Sequence, residues 1–301
     1  MSRARALLKW GALLLIAAVA TGALLIRAAI RDLDSVQVTK DVHMITGLGS
    51  NVAVLKTAAG AVIVDTMTFH VQGRLIAKKA EELTGVPVAV IVNTHYHLDH
   101  SHGNPGFETG VRVVATERTL HHMTARDAGF WRGHEALLPA ETFSEADEIR
   151  LGGKTIRLLH PGRGHTDGDL VALFVEDGVL AAGDLFFREH YPNIDLEAGG
   201  SVQSWSATLD RVLDLPFVHV IPGHGALGGR AELLDFQRFI AQLARVGANA
   251  ATAGWDLKTT IAKGELTEDE GYTNILPILS RDFVITRAWE EATGAVLPDE
   301  R

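Results

Sequence analysis

The stretch Asn93-Thr94-His95-Tyr96-His97-Leu98-Asp99-His100 constrains this chain more than any other, because it crowds three imidazoles and a carboxylate into six positions. It follows Val88-Ala89-Val90-Ile91-Val92, an apolar run of strand length that reads as a buried strand. A strand that delivers four polar, metal-competent side chains at its end needs a rigid scaffold below it and partner loops around it.

Neutral imidazole and carboxylate are the ligands of zinc and similar divalent ions where thiolate is absent. The chain has no cysteine, so a transition-metal site here must be built from nitrogen and oxygen. His95 and His97 are two apart and project to one side of extended backbone, while Asp99 and His100 sit where the chain turns. Three later pieces answer them: Gly164-His165-Thr166, Gly183-Asp184-Leu185 and Pro222-Gly223-His224-Gly225, each a glycine-flanked turn after an apolar run. A catalytic zinc takes about three protein ligands and keeps one position open for water. The candidates divide accordingly: His95, His97 and His165 for one ion, and Asp99, His100 and His224 for another. Asp184, with two carboxylate oxygens, is placed to bridge a pair of ions ~3.5–4 Å apart.

In order and in spacing these residues resemble the ligand set of the metallo-β-lactamase superfamily, and the likeness runs from about residue 36 to 228. The resemblance implies an α/β protein, an αββα sandwich with its metals at one edge. It also implies that Asp65, at the end of a strand, supports the metal loop rather than binding an ion. Arg188, Tyr191 and Asn193 fall in the segment that supplies substrate contacts across the family. Arg188 is thus a candidate clamp for a substrate carboxylate. Tyr191 and Asn193 are candidate donors to a developing oxyanion, and Asp99 doubles as a group that orients the nucleophile. β-Lactamases that use a cysteine on the second metal have it where this chain has Asp184, and an aspartate there is similar to glyoxalase II. Quorum-quenching lactonases place a tyrosine where Phe187 stands, and flavo-diiron proteins a glutamate where His97 stands.

The first 31 residues have a different texture. Arg3, Arg5 and Lys9 precede an uncharged stretch from Trp10 to Ile26, which reads as a signal peptide or an N-terminal membrane anchor, with a candidate cleavage site near Thr21-Gly22-Ala23. Either would place the remainder in the periplasm. Removing the segment's five positive charges from a net charge of −9 leaves −14, which lacks the basic footprint of a nucleic-acid partner.

The catalytic domain is expected over residues 36–230, with strands at Val36–Val38, Asn51–Leu55, Ala61–Asp65, Val88–Val92, Val111–Ala115, Glu148–Leu151, Thr155–Leu159, Leu170–Val175, Val179–Ala182 and Val218–Ile221. Helices are expected at about 70–83, from Glu117 and at 201–214. Residues 231–301 read as amphipathic helices, with Leu233, Phe236, Ile240 and Leu243 on one face and a last helix through Ile275, Leu279, Phe283 and Trp289. His121, His122 and His134 read as surface or rim residues, and Asp167 and Asp169 as groups that orient the His165 loop. Gly129-Phe130-Trp131 is either substrate wall or core.

These observations point to a hydrolase with two zinc ions, iron or manganese being the alternatives, acting on a small molecule. A metal-bridging hydroxide would cleave an ester, thioester, lactone or β-lactam. The competing readings are a β-lactamase acting on antibiotics and an iron-dependent redox relative such as a persulfide dioxygenase.

Overall fold

Two runs of short apolar strands, each followed by helices, build the two halves of the computed structural model, which describes residues 19–295. The first half comprises α1 (19–31), β1 (Asp34–Gln37), β2 (Val42–Thr46), β3 (Val52–Thr57), β4 (Gly60–Val64), α2 (His70–Thr84) and β5 (Val88–Val92). It continues with α3 (Leu98–Ser101), β6 (Arg112–Thr116), α4 (Glu117–Ala125), α5 (Ala128–Trp131) and β7 (Glu141–Phe143). The second half holds β8 (Ala146–Leu151), β9 (Lys154–Leu159), β10 (Val171–Phe174), β11 (Val179–Phe187), α6 (Val202–Leu213), β12 (His219–His224) and β13 (Gly228–Gly229). The helices α7 (Arg230–Ala253), α8 (Leu257–Lys263) and α9 (Arg281–Thr293) follow.

The first sheet has the order β1-β2-β3-β4-β5-β6-β7 and the second β13-β12-β11-β10-β9-β8. Side chains alternate across each strand, so β3 sends Ala53 and Leu55 into the space between the sheets and Val52 and Val54 to the other face. Between the sheets, Val62, Val90 and Val114 of the first meet Ile156, Ala172 and Ile221 of the second. The outer face of the first sheet is covered by Ile76 and Ala80 of α2. That of the second is covered by Trp205 of α6, Phe236 and Ile240 of α7, and Ile285 of α9. Both faces of the central strands β3, β4, β10, β11 and β12 are therefore largely dry, which is why these read as continuous apolar runs, whereas β1 and β8 at the sheet edges are mostly exposed. The expected αββα sandwich is the fold observed.

Several boundaries differ from expectation, each for a physical reason. β2 and β7 were not foreseen; β2 carries His43 and Thr46 among its apolar residues, and β7 is only three residues long. β11 runs on through Asp184 to Phe187, because its parallel pairing with β12 resumes after two register shifts. The last helix begins only at Arg281, where Ser280 accepts a hydrogen bond from the Phe283 backbone N–H. Pro277 disfavours helical backbone ahead of it, so Ile275 and Leu279 belong to an irregular segment instead.

Residues 1–18 of the expected signal or anchor segment lie outside the described residues. Its remainder forms α1, on which Val19, Leu24, Leu25 and Ile26 are exposed. Among the described residues no helix is long and apolar enough to cross a membrane.

The two sheets are stapled by Lys154, whose ammonium lies 2.9 Å from Asp41 and 2.8 Å from Asp177. Asp41 precedes β2 of the first sheet, and Asp177 turns β10 into β11 of the second. Replacing Lys154 with methionine is expected to cost about 1 kcal/mol, a modest figure because the group is partly solvated. The hydrogen bond from Lys154 holds the Asp41 carboxyl below its ordinary value of 3.8. That contribution is present above pH 3.8 and is lost as pH falls through the lower folded value. Urea denaturation should therefore show the two proteins converging in acid.

Candidate metal centre

All seven sequence-derived ligands meet at one end of the sandwich. His95, His97, His165 and Asp184 present ligand atoms within 4.8 Å of one another, and Asp99, His100 and His224 form a second such group. In the first group, His165 Nε2 stands 2.7 Å from His97 Nδ1 and 3.1 Å from His95 Nε2, which is itself 3.2 Å from His97 Nδ1. In the second, His224 Nε2 is 3.2 Å from Asp99 Oδ2. Asp184 lies between the groups. Its Oδ2 is 3.5 Å from His165 Nε2 and 3.9 Å from His95 Nε2. Its Oδ1 is 3.1 Å from His100 Nε2 and 3.4 Å from His224 Nε2.

Local backbone chemistry explains this convergence. β5 ends against Asp65, which follows β4 and adopts φ 67°, a left-handed conformation that costs a non-glycine residue free energy. From there its carboxylate accepts hydrogen bonds from Thr94 N and Thr94 Oγ1, both at 2.8 Å, and contacts His100 Nδ1 at 2.7 Å. Asp65 thus fixes the start of the histidine loop and the tautomer of His100, leaving Nε2 free for an ion. Asp184 is aimed by a break in β11: the pairing with β12 shifts register between Ala181 and Gly183 and again between Gly183 and Phe187. Gly183 makes the turn at φ 50°. The His224 turn is tied across to the first sheet by Asn51, whose Nδ2 donates to Pro222 O and Gly225 O at 2.9 Å each.

Electrostatics separates the cluster into two kinds of group. Burial, reinforced by neighbouring imidazoles, pushes His95 well below its ordinary value, and burial lowers His165 to about 4. Both are neutral near pH 7, the state that binds metal. Burial disfavours the charged form of Asp184, but His100 and the other imidazoles outweigh it and hold the carboxyl well below the usual range. Burial likewise opposes charge on His224, yet Asp184 and Asp99 raise it to about 9.

The donor set fits divalent cations. Three imidazole nitrogens, His95 Nε2, His97 Nδ1 and His165 Nε2, converge within 3.2 Å of one another, an arrangement that a positive charge between them stabilises. His100 Nε2 and Asp184 Oδ1 are buried without a hydrogen-bond partner although 3.1 Å apart, so both await another group. His165 is oriented by the carbonyl of Asn193, 2.8 Å from its Nδ1. Replacing Asp65 with alanine should weaken metal affinity roughly 10–100-fold, as loss of a supporting carboxylate generally does. Competition with a chromophoric chelator measures this.

The site opens into a cavity of about 910 Å³ whose wall includes His97, Asp99, Asp184, Phe187, Asn193 and His224. Two expected substrate contacts are corrected. Tyr191 is buried against Phe239 and Tyr272, and its hydroxyl donates to Asp269 at 2.9 Å, so it does not face the site as an oxyanion donor. Arg188 turns its guanidinium away to the Leu227 carbonyl and lines a separate cleft with Glu189 and Asp235, so it is no clamp for this cavity. Phe130 and Trp131 do not line the cavity; Phe130 stacks on His102 with ring centroids 3.4 Å apart. Asp169 does orient the His165 loop, accepting from Thr166 N at 2.9 Å. Asp167 instead contacts His122 Nε2 at 2.7 Å, which buries an imidazole expected at the surface or rim.

Asp195 was missed. Its Oδ2 lies 2.9 Å from His97 Nε2 and accepts from Tyr96 Oη at 2.5 Å, so it orients a candidate ligand as Asp65 orients another. Nothing in its sequence neighbourhood signals this, because the contact joins residues 98 positions apart.

The chain is 27% identical over 209 residues to a metallo-beta-lactamase type 2 of Bacillus sp. (strain 170), covering 66% of this chain and 78% of that protein. It is 28% identical over 155 residues to a hydroxyacylglutathione hydrolase of Rhodospirillum rubrum, covering 50% and 53%. Among solved structures, a metallo-beta-lactamase from Pontibacter korlensis superposes with a TM-score of 0.61 at 23% identity, covering 70% of this chain and 99% of that one. A sec-alkyl sulfatase superposes with a TM-score of 0.68 at 16% identity, covering 86% and 50%. The sequence profile of the metallo-beta-lactamase superfamily matches residues 45–224, more than half of the chain and the span that carries all seven ligands, and the protein belongs to that superfamily of hydrolases.

Proposed function

We propose that the protein is a dinuclear zinc hydrolase that cleaves a carbonyl-containing bond: an ester, thioester, lactone or β-lactam. The observation that carries this reading is Asp184, which turns one oxygen toward each histidine group. His95, His97 and His165 would hold one ion, Asp99, His100 and His224 the other, with Asp184 shared. When bound, the ions would supply Lewis acidity and would make water a competent nucleophile near neutral pH. The chain's own groups do the rest. Asp99 borders the cavity and orients the attacking water. Asn193 lines the same wall and is the remaining candidate donor to the developing oxyanion. Phe187 stacks on His224 with ring centroids 5.2 Å apart and keeps that imidazole in place. Similarity to a hydroxyacylglutathione hydrolase and to beta-lactamases supports carbonyl hydrolysis as the reaction class. The basic start and the apolar stretch to Ile26 support export, with the catalytic site in the periplasm, either released or anchored.

A panel of nitrocefin, a carbapenem, S-lactoylglutathione and an aryl ester, run on metal-quantified protein, tests the reading. Turnover of at least one substrate, abolished by a chelator and restored by zinc, is expected. Zinc-loaded protein that turns over none of them would refute it, and iron as the sole metal in protein from unsupplemented cells would favour redox chemistry.

A further inference from the structure

Four large apolar side chains that remain exposed in the fold stand around the mouth of the catalytic cavity: Leu48 at 49%, Phe69 at 40%, Leu98 at 52% and Leu276 at 51% exposure. Ile275 and Leu279 continue the same wall. Exposed apolar surface gathered at one opening marks a binding site rather than scattered surface residues. These side chains come from separate places in the chain: the loop before β3, the N-cap of α2, the first residue of α3, and the segment between α8 and α9.

That last segment lies beyond residues 45–224, the span matched by the superfamily, and it is fixed rather than draped. Thr273 N donates to Glu189 O at 3.0 Å, and Tyr191 N donates to Thr273 O at 3.2 Å. Asp269 accepts from Tyr191 Oη at 2.9 Å and pairs with Arg281 at 3.3 Å. The segment is thereby pinned to the chain that leaves β11 after Phe187, and Leu276 lines the metal centre's cavity. The cavity's arginines are already engaged. Arg126 donates to Glu197 O at 2.8 Å, and Arg287 pairs with Glu290 at 2.8 Å. The walls therefore offer apolar surface and little uncommitted positive charge, and their carboxylates Asp127, Asp195 and Glu197 are themselves engaged by His102, His97 and Arg287.

We propose that this wall binds the acyl chain of the substrate, so that the preferred substrates are esters or thioesters of apolar acids. The inference rests on the hydrolase reading and names its substrate class. Water adds across the acyl bond, its oxygen joining the carbonyl carbon and a proton leaving with the departing oxygen or sulfur. Leu48, Phe69, Leu98, Ile275, Leu276 and Leu279 are the specificity-determining residues.

The test uses the full-length zinc-loaded protein and p-nitrophenyl acetate, butyrate and octanoate, each below its critical micelle concentration. Specificity, kcat/KM, should rise with chain length by roughly fourfold per fully buried methylene until the wall is filled. Leu276→Asp should lower the octanoate-to-acetate ratio at least tenfold. Val218→Asp, at an exposed apolar position outside the cavity, should leave the ratio unchanged. Calorimetric binding of decanoate, which needs no turnover, is measured in parallel and should weaken at least tenfold in Leu276→Asp.

Ester turnover with a flat chain-length profile and an unchanged ratio in Leu276→Asp overturns the proposal and leaves the hydrolase reading standing. No turnover of these esters or of any substrate of the panel, with decanoate binding that depends on Leu276, overturns the hydrolase reading and keeps the apolar wall. A change of oligomeric state in Leu276→Asp, with ratio and decanoate binding unaltered, makes the wall a contact between copies of this chain and overturns the proposal. A protein that turns over neither these esters nor any substrate of the panel, and binds decanoate equally in both forms, overturns both readings.

Discussion

Replacing Asp184 with alanine is expected to lower bound zinc from the two ions proposed per chain to one or fewer and to reduce hydrolysis on the order of a thousandfold or more. The size follows from the loss of several kcal/mol of charge stabilisation that a correctly held metal pair supplies. The direction follows from geometry: the carboxylate faces His165 Nε2 at 3.5 Å with one oxygen and His100 Nε2 at 3.1 Å with the other. Among the described residues the other carboxylate of the cluster, Asp99, falls in the second group alone. Asparagine at the same position keeps the shape and loses the charge, so it should retain more fold stability than alanine but recover little metal. Elemental analysis beside kcat decides the matter. Two full-strength ions in the alanine variant would show that Asp184 is not a shared ligand.

Gly223→Ala should be nearly as damaging, although the residue binds nothing. A Cβ at this position would stand 2.0 Å from Asp184 Oδ1 and 2.8 Å from the Gly183 carbonyl carbon. Neither atom is the loose end of a flexible side chain. The carboxylate must rotate away, or β11 and β12 must part where their register is already irregular. Overpacking of this kind costs about 1–3 kcal/mol of stability. The larger consequence is chemical, because a displaced Asp184 no longer spans the two groups. Activity should fall at least ~100-fold at temperatures where the variant is fully folded, a scale comparable to losing a preorganised electrostatic contact. Metal content measured on the same sample separates this from simple unfolding. A variant that is merely less stable, with normal metal and normal kcat, would show that the strands yield instead of the carboxylate.

The contrast between Asp184 and Arg188 shows how far local text reaches. Both follow the same apolar run, four positions apart, and both carry groups suited to a catalytic site. Asp184 is aimed inward by a backbone break at Gly183, whereas Arg188 lies past a second register shift and finds the Leu227 carbonyl on the opposite side. Tyr191 differs in the same way, held outward by Asp269, which is 78 residues away. The segment from Ile275 to Leu279 shows the converse. Its apolar spacing reads as a helix face, yet Pro277 and the contacts of Thr273 with Glu189 hold it as cavity wall.

What the chain's text determined alone was the ligand chemistry and the layered scaffold. With no cysteine, three imidazoles and a carboxylate in six positions leave few uses beyond nitrogen–oxygen metal binding, and apolar strand-length runs require burial on both faces. What only the tertiary structure decided was direction: which of the residues after Asp184 face the cavity, that Asp195 sits behind His97, and that the tail supplies an apolar wall. The physical reason is separation along the chain. Side-chain type and short-range periodicity are local properties, whereas orientation past a strand break is set by partners up to about a hundred residues away, which no local pattern records.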